Sequence, residues 1–345
     1  MKSVNVVSLF SGAGGFALGF KNMGFKTIFA TDNWSISKEA FQLNKLSDTF
    51  HLGDIRELNF KKEIKDSVDV VIGGPPCPAF SKSRFYLTEK KRSLLDSEGR
   101  LLYEYIRCLK ELSPKVFIFE NVHGFAFKIH NDALTVLKDE TIKLGYKVQY
   151  KVINSANYGV PQLRQRFICI GVRKEFPDFN WPKETHIDPE KIKEADSRLK
   201  PWVTAGDVLN DIDIDLPEDI DAQAGSKHKH LLPLIPPGEN YLFFTKERNH
   251  PKPLFKWRSR YWSFLLKLSP QKPSWTIQAS FSNNMGPFHW KNRFLRVKEI
   301  ARIQTFPDSY TFSGKFLDQW RLIGNAVPPK LSQIFARSIK EQYFK

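Results

Sequence analysis

Through its first 175 residues or so, the chain alternates short apolar runs with stretches of helical spacing, and this alternation limits the fold more than any other feature. "VNVVSL" (4–9), "KTIFATD" (26–32), "VDVVIGG" (68–74), "KVFIFENV" (115–122) and "RFICIGV" (166–172) read as strands. Between them, "SISKEAFQLNK" (35–45) and "GRLLYEYIRCLKEL" (99–112) read as helices, the second with Leu102, Tyr105, Ile106 and Leu109 on one face. Strand and helix at this pitch predict an α/β fold, a doubly wound, mostly parallel sheet with helices on both faces. Such sheets place ligands at the carboxyl ends of their strands, so the loops after each apolar run are where chemistry is sought.

The alternation fails beyond about residue 175 and returns near "LRVKEIARIQ" (295–304). We therefore expect a catalytic and cofactor-binding unit over 1–180, a smaller irregular domain over 181–290, and a return segment over 291–345 that completes the first unit. The irregular part holds "DVLNDIDIDLPEDID" (207–221), with seven acids and no base, and "TKERNHPKPLFKWRSRYW" (245–262), with six Lys/Arg and one Glu. The acidic run reads as a solvated surface and the basic-aromatic run as a face for a polyanion. A net charge of +16 favours nucleic acid as that polyanion. No apolar run reaches the roughly 18 residues of a membrane span. The N-terminus enters a strand pattern directly, without the shape of a signal peptide. Cys77, Cys108 and Cys169 are widely spaced and odd in number, which suits a reducing compartment, the cytoplasm, rather than a disulfide scaffold. No Cys/His set has zinc-ligand spacing, so no metal is expected; "KHKH" (227–230) reads as a basic loop.

Five strand ends carry polar groups. "FSGAGG" (10–15) follows the first strand, and its glycines allow a tight turn and close approach to a ligand at a helix N-terminus. Asp32 ends the second strand, where an acid accepts hydrogen bonds from ribose hydroxyls, and Asp54 lies in "GDI" after a third. Together they suggest an adenosine-containing cofactor, although "GAGG" lacks the third glycine of the dinucleotide fingerprint. "GGPPCPAFS" (73–81) puts Cys77 in a turn after a buried strand, and "FENV" (119–122) puts Glu120 after another. A thiol and a carboxylate at neighbouring strand ends can face one pocket; the plainer readings are a buried turn cysteine and a structural salt bridge. "QLRQR" (162–166) adds Arg164 and Arg166 at i, i+2, on one side if the segment is extended.

In chain order "FSGAGG", Asp32, "GDI", "GGPPCPAFS", "FENV", "QLRQR", "RFLRVKEIARIQTFPD" (293–308) and "GNAVPP" (324–329) resemble the motif series of the cytosine-carbon-5 DNA methyltransferases. The resemblance covers about 4–175 and 270–340; the span between is where that family keeps its target-recognition domain. Two positions depart from the commonest pattern: Pro78 stands where Gln is usual, and Asp32 where Glu is more frequent. The resemblance implies a Rossmann-like fold, S-adenosylmethionine as methyl donor with S-adenosylhomocysteine as product, and double-stranded DNA as partner. It also implies a monomer that pairs in function with a restriction endonuclease.

By family position, Cys77 is the nucleophile that adds to cytosine carbon 6, Glu120 holds N3 and the exocyclic amine, Arg166 binds O2, and Arg164 supports the catalytic loop. For the cofactor, Phe10 lies against the adenine, Gly12 and Gly14 near the methionine end, Asp32 on the ribose and Asp54 on the adenine amine. Ile55 and Leu101 pack on the adenine, and Asn325 and Val327 close the methionine end. Ser83 fills the space left by a flipped-out base, and Gln162, Lys256 and Arg258 are the remaining candidates for substrate contact. Three rivals use the same residues differently: a tRNA cytosine-5 methyltransferase, a catalytically inactive DNA-binding relative, and a nucleotide-dependent oxidoreductase on the same fold. The first would carry a "CFT" motif that is absent, the second would not need intact "PPC", "FENV" and "QLRQR", and the third would not need Cys77.

Overall fold

A computed structural model describes residues 3–76, 100–127, 131–192, 198–216 and 224–345. Strands β1 (Val4–Leu9), β2 (Phe25–Asp32), β3 (Thr49–Leu52), β4 (Val70–Gly73), β5 (Val116–Val122) and β6 (Tyr146–Asn154) are followed by the two-residue β7 (Gln162–Leu163) and by β8 (Gln165–Arg173). Seven of them form one sheet in the order β3-β2-β1-β4-β5-β8-β6. Pairing is parallel from β3 across to β5, while β8 runs antiparallel to both β5 and β6. The chain moves outward from β1 to β3 and then returns to β4 on the other side of β1. The reversal falls at the carboxyl ends of β1 and β4, where open sheets of this kind form the crevice that takes a ligand.

Period-two alternation sends successive strand residues to opposite faces. Val6, Val70, Ile72, Val116, Ile118 and Ile170 join one core, with Ala17 and Phe20 of α1 (Gly15–Lys21) and Phe41 of α2 (Ser35–Leu43). Val7, Leu9, Val71, Phe117, Phe119 and Cys169 join the other. There they meet Phe60 of α3 (Phe60–Glu63), Tyr105 and Leu109 of α4 (Leu101–Leu112) and Leu137 of α5 (Asn131–Lys143). Both faces are covered, which is why these strands read as near-continuous apolar runs.

The chain then passes through α6 (Ala205–Leu209) and returns through α7 (Val297–Ile303), α8 (Phe316–Asn325) and α9 (Pro329–Tyr343), all against the α1 face. A Cβ on Gly19 of α1 would sit 2.4 Å from Ser332 Oγ and 2.6 Å from the backbone nitrogen of Gln333. Only glycine allows α9 so close, and Ser332 Oγ seals the contact by donating to the Phe16 carbonyl at 2.6 Å.

The irregular part is built of turns and short 3₁₀ segments around its own core, which includes Leu232, Tyr241, Phe244, Phe264 and Phe288. Among the described residues the buried members of that core run from Ala224 to Phe288; Ala205, Leu209, Leu268 and Ile277 pack with the main sheet instead. Both sets lie inside the 181–290 interval expected from composition, and the first of them forms the separate core. It is pinned by buried Lys267, whose Nζ donates to the Ile235 carbonyl at 2.8 Å and to Asn292 Oδ1 at 2.7 Å. Burial holds this ammonium down to about 8.

Over its described residues the acidic run is a largely exposed surface, as expected, with Asp207, Asp211 and Asp215 exposed and Asp213 partly buried; its acids nevertheless have partners. Arg302 of α7 grips Asp211 and Asp308, Lys291 reaches Asp213 at 3.0 Å and Asp215 at 2.9 Å, and Asp207 closes a capping box with Thr204. Asp211, Asp213 and Asp215 thereby tie the irregular part to the return segment; their partners Arg302 and Lys291 lie 76 to 91 residues away in the chain, beyond any local reading.

Candidate active site

The turn after β1 is the first wall of the crevice. Phe10, Gly12 and Gly14 all have left-handed backbone, with φ of 52°, 51° and 72°. For Phe10 that conformation is strained, and such strain gathers at functional sites. Asp32 holds the turn: its Oδ2 accepts from Gly12 N–H at 2.8 Å and its Oδ1 from Trp34 N–H at 3.0 Å. Burial pushes the Asp32 carboxyl up and these backbone donors oppose it. A Cβ on Gly12 would meet nothing within 4 Å, so open space lies above this residue. Gly14 is different, since a Cβ there would strike Leu46 and Phe41. The lack of a side chain there serves packing and backbone angle.

Other cofactor candidates converge on the same end of the sheet. A Cβ on Gly15 would lie 2.2 Å from the carbonyl oxygen of Val327, which brings the "GNAVPP" turn onto the start of α1. Asn325, the last residue of α8, is exposed. Ile55 is buried and Leu101 half-buried, both in the core beneath Phe10. Asp54 caps the turn at 55–57 and is gripped by Arg56, whose Nε lies 2.9 Å from each carboxylate oxygen. Those bonds hold the Asp54 carboxyl down to about 2. Arg56, two residues on in "GDIRE", was legible as a partner and not read as one. Arg107 of α4 was missed as well. Its Nη2 and Nη1 donate to the carbonyls of Ile55 and Leu58, each at 2.8 Å, while Glu104 and Glu111 hold it from one turn on either side.

The second wall joins β4, β5 and β8. A Cβ on Gly74 would sit 2.7 Å from Glu120 Oε2, and Asn121 Nδ2 donates to the Pro75 carbonyl at 3.3 Å, so the loop leading to Cys77 lies directly against the end of β5. Cys77 and Ser83 themselves lie outside the described residues. Glu120 Oε1 pairs with Arg166 Nε at 2.9 Å. In the β5–β8 register Arg166 stands opposite Val122, diagonal to Glu120 and within reach of a long side chain. Burial pushes the Glu120 carboxyl up, and the charges of Arg166 and Arg164 only partly oppose it.

Arg164 takes a different post from its neighbour. It is 1% exposed, and its guanidinium donates to the carbonyls of Gly324 at 2.9 Å, Ala326 at 3.0 Å and Ile277 at 3.3 Å. Gln162 is fully buried, contrary to a substrate-facing role. Its Nε2 donates to Gln304 Oε1 at 2.9 Å and its Oε1 accepts from Ile277 N–H at 3.2 Å. Gln304, also missed, donates in turn to the Ile323 carbonyl. "QLRQR", "IARIQ" and "GNAVPP" thus meet in one buried polar knot beneath the site. Cys108 and Cys169 are fully buried, and burial pushes both thiols up, away from nucleophilic use.

Lys256 and Arg258 are exposed, with Trp257, Tyr261 and Trp262 exposed around them. Among the described residues no group of three His, Cys, Asp or Glu side chains could hold a metal ion, and no helix is long and apolar enough to cross a membrane.

Comparison with known proteins adds the following. The family described as C-5 cytosine-specific DNA methylase matches residues 4–341. The Type II methyltransferase M.SacI of Streptomyces achromogenes is 35% identical, the match covering 98% of this chain and 93% of that protein. The Type II methyltransferase M.NgoFVII of Neisseria gonorrhoeae is 33% identical, over 97% of this chain and 86% of its own length. Among solved structures, the Entamoeba histolytica methyltransferase EhMeth superimposes with a TM-score of 0.67 at 15% identity, covering 100% of both chains, a likeness of fold.

Proposed function

The chain belongs to the C-5 cytosine-specific DNA methylase family, and on that premise we propose that it methylates carbon 5 of a cytosine flipped out of duplex DNA, through a covalent bond from Cys77 to carbon 6. The observation that carries this reading is the buried Glu120–Arg166 pair against the loop that leads to Cys77, beside the Asp32-held turn.

Cytosine carbon 5 is a poor nucleophile. Addition of the Cys77 thiolate to carbon 6 breaks the 5,6 double bond and leaves carbon 5 enamine-like. Glu120 is suited to hold a proton at N3, because its burial favours the protonated carboxyl, and Arg166 is suited to bind O2 while keeping Glu120 in place. Loss of the carbon 5 proton then expels the thiolate. A duplex hides the target atom, so the base must leave the stack.

S-adenosylmethionine, when bound, supplies the methyl group. The turn at Phe10–Gly14 fits it: the space above Gly12 is open, Asp32 is fixed by two backbone donors, and Ile55 and Leu101 offer an apolar floor. Arg164 and Gln162 act from below, by holding the return segment in register with β8. Two curated relatives bear the name Type II methyltransferase, which supports pairing with a restriction endonuclease.

The test is a duplex carrying 5-fluorocytosine at the target. Fluorine cannot leave as a cation, so the protein is expected to stay attached in a band that survives denaturing gels. Cys77→Ala should abolish the band, and Cys108→Ala or Cys169→Ala should keep it. A band that persists with Cys77→Ala sinks the covalent reading. Bisulfite sequencing of DNA from cells expressing the protein then gives the methylated site.

A further inference from the structure

Two tryptophans far apart in the chain meet beside the site just described. Trp275 lies in a two-residue strand, Ser274–Trp275, that pairs in parallel with β7 and sets Trp275 opposite Leu163. The next residue, Thr276, donates its hydroxyl to the Leu163 carbonyl at 2.7 Å. The one after, Ile277, supplies the carbonyl held by Arg164. Trp262 comes from the basic-aromatic run. Its carbonyl accepts from Nδ2 of buried Asn240 at 2.7 Å, and two residues earlier the backbone N–H of Arg260 donates to the hydroxyl of buried Tyr241 at 3.1 Å. Both backbones are therefore fixed by buried partners, while the rings face out: Trp262 is 47% exposed and Trp275 39%. Their centroids are 5.4 Å apart and their planes cross at 65°, so the two rings form an open corner.

An exposed aromatic corner on a rigid backbone is costly in water and calls for an occupant. Three exposed cations, Lys256, Arg258 and Arg260, precede it within seven residues of chain, and the whole molecule carries +16. A second copy of this chain would bring like charge to like. A polyanion whose flat apolar parts can stack fits both the charge and the shape. Aromatic rings do nothing for a phosphate, but every nucleobase offers them a face. We infer that Trp262 and Trp275 form a stacking corner for one DNA base that has left the duplex stack. The inference rests on DNA being the substrate, as proposed above, and adds a base contact outside the catalytic residues.

The experiment measures affinity for a single-stranded mixed-sequence oligonucleotide and for an abasic strand of the same length, each across a salt series. Trp262→Ala and Trp275→Ala are each expected to weaken binding to the base-bearing strand about 5- to 100-fold, the range for losing one base–aromatic stack. Their slope of log K against log salt should match that of the unsubstituted protein, since the same phosphates stay neutralised. The abasic strand should bind all proteins alike, and Trp262→Phe and Trp275→Phe should recover most of the loss. Alanine variants within twofold of the unsubstituted protein, or an equal loss on the abasic strand, would overturn the inference. Methyl transfer to unmethylated genomic DNA by the unsubstituted protein is measured alongside. Its absence with base-dependent binding intact counts against the proposed activity alone, and its presence without base-dependent binding counts against the stacking corner alone.

Discussion

Glu120 and Arg164 both carry ionisable groups in dry surroundings, and each supports a prediction that separates chemistry from support. Glu120→Gln keeps the shape and removes the acid. Methyl transfer should fall about 10²- to 10⁴-fold, the usual worth of a positioned acid or base, with S-adenosylmethionine affinity unchanged by calorimetry. Stability should move the other way. Burial raises the Glu120 carboxyl above its unfolded value, so its contribution is full below that value and is lost as pH rises through the raised one. Melting temperatures against pH should therefore decline more steeply for the unsubstituted protein than for Glu120→Gln across that window. Arg164→Ala instead strips the donor from the carbonyls of Gly324, Ala326 and Ile277. A loss of about 3 kcal/mol or more in denaturant unfolding is expected, several buried acceptors being left unpaired. Arg166→Ala leaves those carbonyls paired, so it should lower turnover with a smaller loss of stability.

Helices α1 and α9 show what an element needs from a sequence distant from it. Gly19→Ala would place a methyl group against Ser332 and the backbone of Gln333. Overpacking of this kind costs about 1–3 kcal/mol, and a lowered melting temperature is the expected result; an unchanged one would mean the two helices can part freely. The strands and α4 were legible because their burial is periodic: Leu102, Tyr105, Ile106 and Leu109, read as one face, are buried together. Asp32 and Glu120 were legible because strand ends in such sheets meet at one edge. Gln162 was not, since its partner Gln304 lies 142 residues on and nothing local marks a glutamine as internal. The two arginines of "QLRQR" looked equivalent by spacing, but the break between β7 and β8 turns one to the return segment and the other to Glu120. The partners of the acidic run were hidden for the same reason, its cations being supplied by α7 and by the turn before it.

At the scale of the whole molecule, the exposed cations of the irregular part set how the protein responds to salt. If Lys256 and Arg258 lie along phosphates, Lys256→Ala or Arg258→Ala should weaken duplex binding and flatten the slope of log K against log salt by roughly one for each phosphate no longer neutralised. Filter binding across a salt series checks this, and unchanged slopes for both would mark them as ordinary surface. The closure of the sheet by the return segment has a different consequence. Phe344, past the end of α9, sets its ring 6.0 Å from that of Phe25, and Phe25 stands beside Val4 in the β1–β2 register. Val4 and Phe344 therefore both lie beside Phe25, and the packing is indifferent to which of them is translated first. A circular permutant opened at the exposed turn of Lys174 and Glu175, with residue 345 tethered to residue 3 by a short linker, should refold to the same sheet. In it the irregular part leads the chain as a cassette, and exchanging it becomes a matter of joining two fragments rather than splicing into the middle of one.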